Sequence, residues 1–255
     1  MKQTDKPQFR ISIARSDEEI KAAQRLRYNV FVQELGGVAG SIDHAKKLEK
    51  DQFDLISDHM LLYDDAIGEV VGVYRLLRED QSNHIGQFYS ESEFDLSCLR
   101  QSGRRLLELG RSCLHADYRG GPAMYHLWNG LADYIKQHEI EILFGVASFH
   151  GTDIDRLVEP LSLLHHRYLA PPELRVKAQC NAFETAKLIE EIDLDRRLAM
   201  LKVPALIKAY LRLGGVVGEG AFVDHSFNTT DVCLCVDTTR INKRQARIYG
   251  GGEGL

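Results

Sequence analysis

The stretch that decides the fold is LELGRSCLH, residues 107–115, followed by DYRGGP, residues 117–122. The apolar first part predicts a strand, and the Gly/Pro-rich second part predicts a turn that leads into a helix. Side chains alternate between the two faces of a regular strand, so Glu108 and Arg111 are expected on opposite faces. Gly110 stands between them, where a β-bulge would re-aim one side chain. The pattern therefore predicts a carboxylate and a guanidinium in one cleft, beside the N–H groups of a helix N-terminus.

Composition narrows the class of protein. The 255 residues fit one domain, or one domain with a substantial addition. A net charge of −5 argues against a general nucleic-acid binder. The five cysteines contain no CxxC pair, which indicates reduced thiols. No apolar run approaches the ~20 residues of a membrane span. We therefore expect a cytoplasmic protein.

Hydrophobic periodicity predicts an α/β fold with a mixed central sheet flanked by helices. We expect a core over residues 1–170 and, over 171–255, an extension that packs on this core and is not an independent domain. Residues 35–54 are Gly-rich and charged, which predicts a long loop. The predicted strands are 9–13, 59–63, 69–77, 104–113, 141–149 and 231–236, and the predicted helices are 17–32, 121–138, 153–168, 182–191, 203–213 and 242–249.

A second group of charged residues lies upstream. Arg27 is followed by Glu49, Asp51 and Asp54, and Arg75 lies in a predicted strand. Three carboxylates within six residues of a loop usually indicate a solvated surface. They could instead collect a cationic substrate, or pair with Arg27 and Arg75. The residues alone leave these alternatives open.

The turn after the strand suits an anion. Arg119, Gly120 and Gly121 precede Pro122, which is expected at the first helical position, with Ala123 next. A helix N-terminus offers unpaired N–H groups and partial positive charge, which suits a phosphate.

The alternative for Glu108 and Arg111 is a plain ion pair at a strand edge, worth ~0–1 kcal/mol if exposed. No metal site is predicted.

The spacing of these groups resembles a known family. Arg-x-x-x-Phe, Glu-x-Asp-x-x-Asp, a strand arginine and Glu-x-x-Arg also occur in the acyl-homoserine-lactone synthases, a branch of the GNAT-fold N-acyltransferases. The matching residues here are Arg27, Phe31, Glu49, Asp51, Asp54, Arg75, Glu108 and Arg111. Over nearly the whole chain, LELGRSCLHADYR, FGVASF and the run over 204–231 resemble the L-ornithine Nα-acyltransferases of bacterial ornithine-lipid synthesis.

This resemblance implies a reaction and a set of roles. A 3-hydroxyacyl chain would pass from acyl carrier protein to the α-amine of L-ornithine, with no metal and no cofactor apart from the donor's phosphopantetheine. Glu108 would act as the base, and Arg111 would stabilise the oxyanion. The remaining implied residues are Arg119, Gly120, Gly121 and Ala123 for the donor, Asp51, Asp54, Arg75, Asp224 and Asp231 for the amino acid, and Arg27, Phe31, Glu49, Gly110 and Ser112 as support.

Several alternatives stay open at this point. A sister enzyme that uses glutamine, a synthase that lactonises its product, and a non-catalytic acyl-carrier-binding protein fit the same pattern. Peripheral contact with the inner face of the cytoplasmic membrane is a further alternative. An acidic carrier protein would need a basic patch, for which Arg100, Arg104 and Arg105 form one candidate, and Lys243, Arg244 and Arg247 form another.

Overall fold

A mixed eight-stranded sheet is the main feature of the computed structural model, which describes residues 6–38, 42–179 and 187–241. The strands are β1 (Phe9–Ile13), β2 (Ile42–Asp43), β3 (Leu48–Glu49), β4 (Asp58–Asp64), β5 (Glu69–Arg78), β6 (Phe94–Asp95), β7 (Leu106–Leu114), β8 (Ile142–His150), β9 (Lys177–Ala178), β10 (Val216–Val217), β11 (Phe222–Asp224) and β12 (Thr229–Asp237). The α-helices are α1 (Asp17–Arg27), α2 (Glu79–Ser82), α3 (Ser97–Arg100), α4 (Ala123–Gln137), α5 (Val158–Tyr168), α6 (Arg196–Lys202) and α7 (Ala205–Arg212). The sheet order is β1-β4-β5-β7-β8-β12-β10, with β11 paired to β12, and this confirms the predicted α/β class.

Contacts along the chain group it into two compact units, and the described part of the first lies within residues 6–85 and 109–139. Helix α1 packs on one face of its strands, where Ala23 and Leu26 meet Leu61 and Val73. Helix α4 covers the opposite face. Its Gly130 lies so close to that face that an added Cβ atom would collide with Ile11 and approach Met60. The sheet is therefore sandwiched between helices in this unit.

The first unit departs from the predicted elements in two places. The helix predicted over 17–32 ends as an α-helix at Arg27 and continues as a π-helical segment, Tyr28–Glu34. The loop predicted over 35–54 contains the β2–β3 hairpin and a 3₁₀ turn, Gln52–Leu55. The second departure buries Glu49 and Asp54, which a solvated loop would expose.

The described part of the second unit lies within residues 86–108, 140–179 and 187–241. The first three residues of β7 pair in parallel with β8, and β12 runs antiparallel along all of β8. Strands β10, β11 and β12 come from the segment predicted as an extension, and they share a sheet with β8. Residue 170 is accordingly not a boundary between the two units.

Some predicted features fall outside the described residues. They include the helix over 242–249 with Lys243, Arg244 and Arg247, and the first half of the helix over 182–191, whose described half, residues 187–191, contains no α-helix. Of the other predicted basic patch, Arg100 is paired with Glu91 and Arg104 with Asp237. Within the described segments, no helix is both long and apolar enough to cross a membrane.

An ion pair at the end of β12 generates a stability prediction. Arg104 donates to both carboxylate oxygens of Asp237 at 2.8 and 2.6 Å, and this contact lowers the pKa of Asp237 to about 2. We expect Arg104→Gln to lower the free energy of unfolding at pH 7 by about 1–2 kcal/mol. A depressed carboxyl pKa stabilises the fold above the unfolded value, and this contribution disappears as the pH falls from about 4 to 2. Urea unfolding at pH 7 and pH 3 measures the effect.

The matched control is Arg240→Gln. Arg240 lies 3.2 Å from the same carboxylate but is largely exposed, so its loss should hardly move the unfolding midpoint. Equal losses in the two variants, or a deficit of Arg104→Gln that persists unchanged at pH 3, would contradict the assignment.

Candidate active site

Six charged residues of the first unit form a closed ring of ion pairs. Arg27 contacts Asp54 and Glu49, each at 2.6 Å. Arg75 joins Asp54 at 3.0 Å to Asp51 at 2.5 Å. Arg111 completes the ring, with Glu49 at 3.0 Å and Asp51 at 3.1 Å. Each charge therefore has two neighbours of opposite sign.

The ring is buried, and its charges offset one another. Arg27 is 1% exposed, and its Nε faces Glu49 Oε2 outside hydrogen-bond alignment, so that contact is purely ionic. Burial opposes ionisation of Asp51 and Asp54, but the neighbouring guanidinium groups outweigh it and lower the pKa of both carboxyls. Gln24 also donates to Asp54 at 2.9 Å. The ring thus realises the ion-pairing alternative left open for these acids.

This geometry weighs against the expectation that Asp51, Asp54 and Arg75 bind the amino-acid substrate, which stays a prediction. Their charges are already neutralised within the ring, so a second cation would have to break an existing ion pair. Arg27 and Glu49 belong to the same ring. Phe31 packs against the apolar cluster beside it. The candidate substrate acids that remain are Asp224 and Asp231.

The irregularity in β7 lies one residue later than predicted. Arg111, rather than Gly110, has a left-handed backbone, with a φ of +50°. This conformation costs about 1–2 kcal/mol for a residue with a side chain. The residue with this left-handed backbone is also the one whose side chain makes two ion pairs in the ring. Ser112, which follows, is half-buried in the same strand.

Glu108 lies in the second unit and is held by backbone amides. Its two carboxylate oxygens accept hydrogen bonds from the N–H of Tyr89 at 2.9 Å and of Ser90 at 2.6 Å. The side chain is 4% exposed. These two hydrogen bonds orient the Glu108 carboxylate.

The strand register places Glu108 and Asp231 on one face of the second unit's sheet. Glu108 is level with Phe144 of β8, and Asp231 is level with Ser148. Residues 144 and 148 share a face because side chains alternate with a period of two. Their separation along the strand is about 13 Å. Cys233 projects from the same face, between these two levels.

Asp224 and Asp231 meet a third acid, Glu93. One carboxylate oxygen from each lies within 4.8 Å of the other two. The β11–β12 pairing brings the two aspartates together, and Glu93 directly precedes β6. Asp224 also accepts the N–H of Ser226 at 2.7 Å. We call Glu93, Asp224 and Asp231 the acidic trio.

The acidic trio can receive a cation of either of two kinds. Three carboxylate oxygens suit a hard divalent ion such as Ca²⁺ or Mg²⁺. They equally suit an alkylammonium group, which carries three N–H donors and one positive charge. The sequence reasoning found both aspartates but missed Glu93, since nothing in the spacing of distant residues signals that these segments meet.

The turn at residues 119–121 precedes α4. Gly120 has a φ of +73°, and the helix begins at Ala123, with Pro122 as its cap rather than as its first residue. Arg119 pairs with Glu34 and also donates to the carbonyl of Leu114 at 3.0 Å. A carboxylate therefore already sits at the guanidinium predicted to face the phosphate.

The buried thiols are poor nucleophiles. Burial raises the pKa of Cys113 to about 12. A hydrogen bond with Cys235, together with burial, holds the pKa of Cys233 well above its ordinary value. Because the thiolate is the reactive form, neither group is prepared for covalent catalysis near neutral pH.

The ring predicts a large cost for losing one charge. Asp54→Asn leaves Arg27 and Arg75 short of a buried counter-charge, and we expect a loss of about 3–5 kcal/mol in the free energy of unfolding. The pKa of Asp54 is lowered in the fold, so this contribution is present at neutral pH and disappears as the pH falls below about 4. Urea unfolding across that pH range measures it.

Asp65→Asn serves as the comparison, because its ion pair with Arg10 lies at the surface. Its unfolding midpoint should stay near that of the unaltered protein. An Asp54→Asn protein that unfolds at the same urea concentration would show that the ring contributes little to stability.

Comparisons with known proteins agree with this architecture. The family model described as an acetyltransferase (GNAT) domain matches residues 26–129, which include all six residues of the ring and the turn before α4. The chain is similar over its full structural extent to the AHL synthase LasI, with a TM-score of 0.52 and 16% identity over 98% of each chain. That likeness supports the fold.

Sequence relatives are more specific. An L-ornithine N(alpha)-acyltransferase of Rhodobacter capsulatus is 56% identical over 246 residues, covering 94% of each chain. Another of the same name, from Brucella abortus, is 38% identical over 247 residues, covering 94% of this chain and 88% of the relative. With this identity over almost the whole chain, the protein is an acyltransferase that belongs to the L-ornithine N(alpha)-acyltransferase family.

Proposed function

We propose that this enzyme transfers a 3-hydroxyacyl chain from acyl carrier protein to the α-amino group of L-ornithine. The observation that carries the proposal is the similarity, at up to 56% identity, to enzymes named for ornithine and for the α position. The product would be an N-acylated ornithine, the lyso form of ornithine lipid. The acidic trio supplies an independent physical argument for a cationic acceptor.

The acidic trio binds the distal ammonium of ornithine in this proposal. Three nearby carboxylates repel one another when ionised, and a single ammonium relieves that repulsion while donating to each oxygen. Glutamine carries a neutral amide at its end and brings no positive charge to the trio. This favours ornithine over the glutamine alternative.

Intrinsic acidity favours the α-amine as the attacking group. Its pKa is about 8, against about 10.4 for a side-chain amine, so deprotonating it at neutral pH costs about 3 kcal/mol less. Holding the distal ammonium at the acidic trio adds to this selectivity, because it keeps that nitrogen charged. Only the α-nitrogen then has a lone pair for attack.

Glu108 accepts the proton of the attacking amine, directly or through a water. The nitrogen attacks the thioester carbonyl, a C–N bond forms, and the C–S bond breaks to release the phosphopantetheine sulfur as a thiolate, which takes up the proton that Glu108 returns. No acyl-enzyme intermediate is involved, in keeping with the high pKa values of Cys113 and Cys233. Arg111 is assigned to the developing oxyanion, and its ion pairs with Glu49 and Asp51 fix its side chain.

The donor's phosphate binds at Arg119, Gly120, Gly121 and Ala123. The first N–H groups of α4 and the exposed side chain of Arg119 are the anion-binding groups. Binding there requires the guanidinium to exchange Glu34 for the phosphate, or to hold both.

Replacing the base gives the first test of the mechanism. Glu108→Gln keeps the size of the side chain but cannot take a proton, so we expect kcat to fall about 10²–10⁴-fold. Purified enzyme, 3-hydroxyacyl carrier protein and ornithine are incubated, and N-acyl ornithine is followed by mass spectrometry. Glu91→Gln, which alters a half-buried carboxylate of the same segment, is the control and should retain most of the activity.

Two outcomes would count against the role of Glu108. A Glu108→Gln enzyme with near-normal kcat would place the base elsewhere. Glu108→Gln could instead lose both activity and stability, with a lower unfolding midpoint, while Glu108→Asp restores none of the activity. That result would give Glu108 a structural role in holding the backbone amides of Tyr89 and Ser90.

Acceptor binding is tested at the half-buried aspartate of the trio. Asp224→Asn removes one charge, and we expect KM for ornithine to rise at least tenfold while kcat changes less. Asp193→Asn, an exposed acid of the same unit, should leave KM unchanged. Adding a chelator separates the two kinds of cation: undiminished activity supports an ammonium site, and its loss supports a metal at the acidic trio. An unchanged KM in Asp224→Asn would remove the trio from acceptor binding.

A further inference from the structure

Three of the most exposed large apolar side chains lie within ten residues of one another in the second unit. Ile192 is 93% exposed, Leu201 is 69% exposed and Leu198 is 54% exposed. Single exposed apolar residues need no explanation, but a clustered set indicates an interaction surface. None of the three has a role in the proposed chemistry.

Helix α6 arranges this surface in a definite order. At 100° per residue, Leu198 and Leu201 are neighbours, with Arg197 beside Leu201 and Lys202 beside Leu198. Ala199 points the opposite way and is fully buried. The exposed side of the helix thus carries two leucines with a cation on each side. We call Arg197, Leu198, Leu201 and Lys202, together with Ile192, the α6 face.

The surrounding sequence is strongly biased in charge. Residues 196–218 contain five cations and no Asp or Glu. The cations are Arg196, Arg197, Lys202, Lys208 and Arg212. Some are partly neutralised from outside the segment, since Lys202 pairs with Glu159 and Arg196 with Glu191. Among the described residues, Arg197 has no carboxylate within ion-pair distance.

A lipid surface fits this combination better than a protein partner does. Stable protein interfaces bury about 800 Å² per partner, far more than three side chains supply. A protruding apolar ridge also requires a matching groove in a protein, whereas it can insert directly into the boundary between headgroups and acyl chains. Flanking Arg and Lys side chains then lie level with the lipid phosphates, with their stems along the apolar layer.

We propose that the α6 face is a membrane-docking surface that binds bilayers containing anionic lipid. Ile192, Leu198 and Leu201 insert into the outer part of the acyl layer. Arg197 and Lys202 contact phosphate groups on either side. The proposal stands independently of the acceptor and the base assigned above, because none of these residues belongs to the proposed site.

Co-sedimentation with vesicles tests this surface. The full chain is mixed with vesicles of phosphatidylcholine alone, or of phosphatidylcholine and phosphatidylglycerol at 3:1. We expect binding to the anionic vesicles, weakened by high salt, and at least a tenfold loss of affinity in the double variant Leu198→Glu/Leu201→Glu. Arg197→Gln should weaken binding to the vesicles that contain phosphatidylglycerol. It should not change sedimentation with vesicles of phosphatidylcholine alone.

The control is Ile67→Glu, because Ile67 is 57% exposed in the turn between β4 and β5. It adds the same kind of charge elsewhere and should bind vesicles like the unaltered protein. Acyl transfer in the absence of vesicles should be unchanged in all variants, which also shows that they are folded.

Three results would overturn the proposal. One is an unaltered protein that fails to sediment with anionic vesicles. Another is a double variant that sediments as well as the unaltered protein. The third is a double variant that loses affinity for acyl carrier protein, or that changes its oligomeric state in light scattering. Either form of the third result would reassign the α6 face to a protein partner.

Discussion

The closed ring of ion pairs constrains the first unit more than any other interaction. A buried charge is costly unless it is paired and hydrogen-bonded, and here every charge has two partners. Because Arg27, Arg75 and Arg111 come from α1, β5 and β7, the ring links a helix to two neighbouring strands of the sheet. The left-handed backbone at Arg111 follows from this constraint, since the ion pairs offset a strain of only about 1–2 kcal/mol.

The same residue types serve opposite purposes in the two units. In the ring, three carboxylates face three guanidinium groups and the total charge is zero, so the cluster has nothing to offer a cationic ligand. In the acidic trio, three carboxylates of like charge lie together. A ligand with one ammonium group lowers the energy of that arrangement. On this contrast the proposed function assigns Asp224 and Asp231, rather than Asp51 and Asp54, to the binding of the acceptor.

Much of the fold was predictable from local pattern. The alternation around Glu108 predicted β7, and the amphipathic run after Pro122 predicted α4. The π-helical segment after Arg27 was not predictable, because its apolar residues also fit an α-helix. The role of Asp51 and Asp54 was undecidable from spacing, since it depends on the hairpin and the 3₁₀ turn that bury them. Glu93 could not be found, because its contact with Asp231 is purely tertiary.

In the proposed reaction, selectivity between the two amines of ornithine would follow from where charge is held, rather than from any group that recognises the α-nitrogen itself. Asp231 of the acidic trio and Glu108 lie on one face of the same sheet, at levels about 13 Å apart along β8. An extended substrate anchored by its ammonium at one level would direct its other amine along the face toward the next. The distal nitrogen would stay protonated by its own anchoring contacts and could not attack. A shorter or neutral side chain would lose this anchor, and with it the orientation that makes the α-amine the nucleophile.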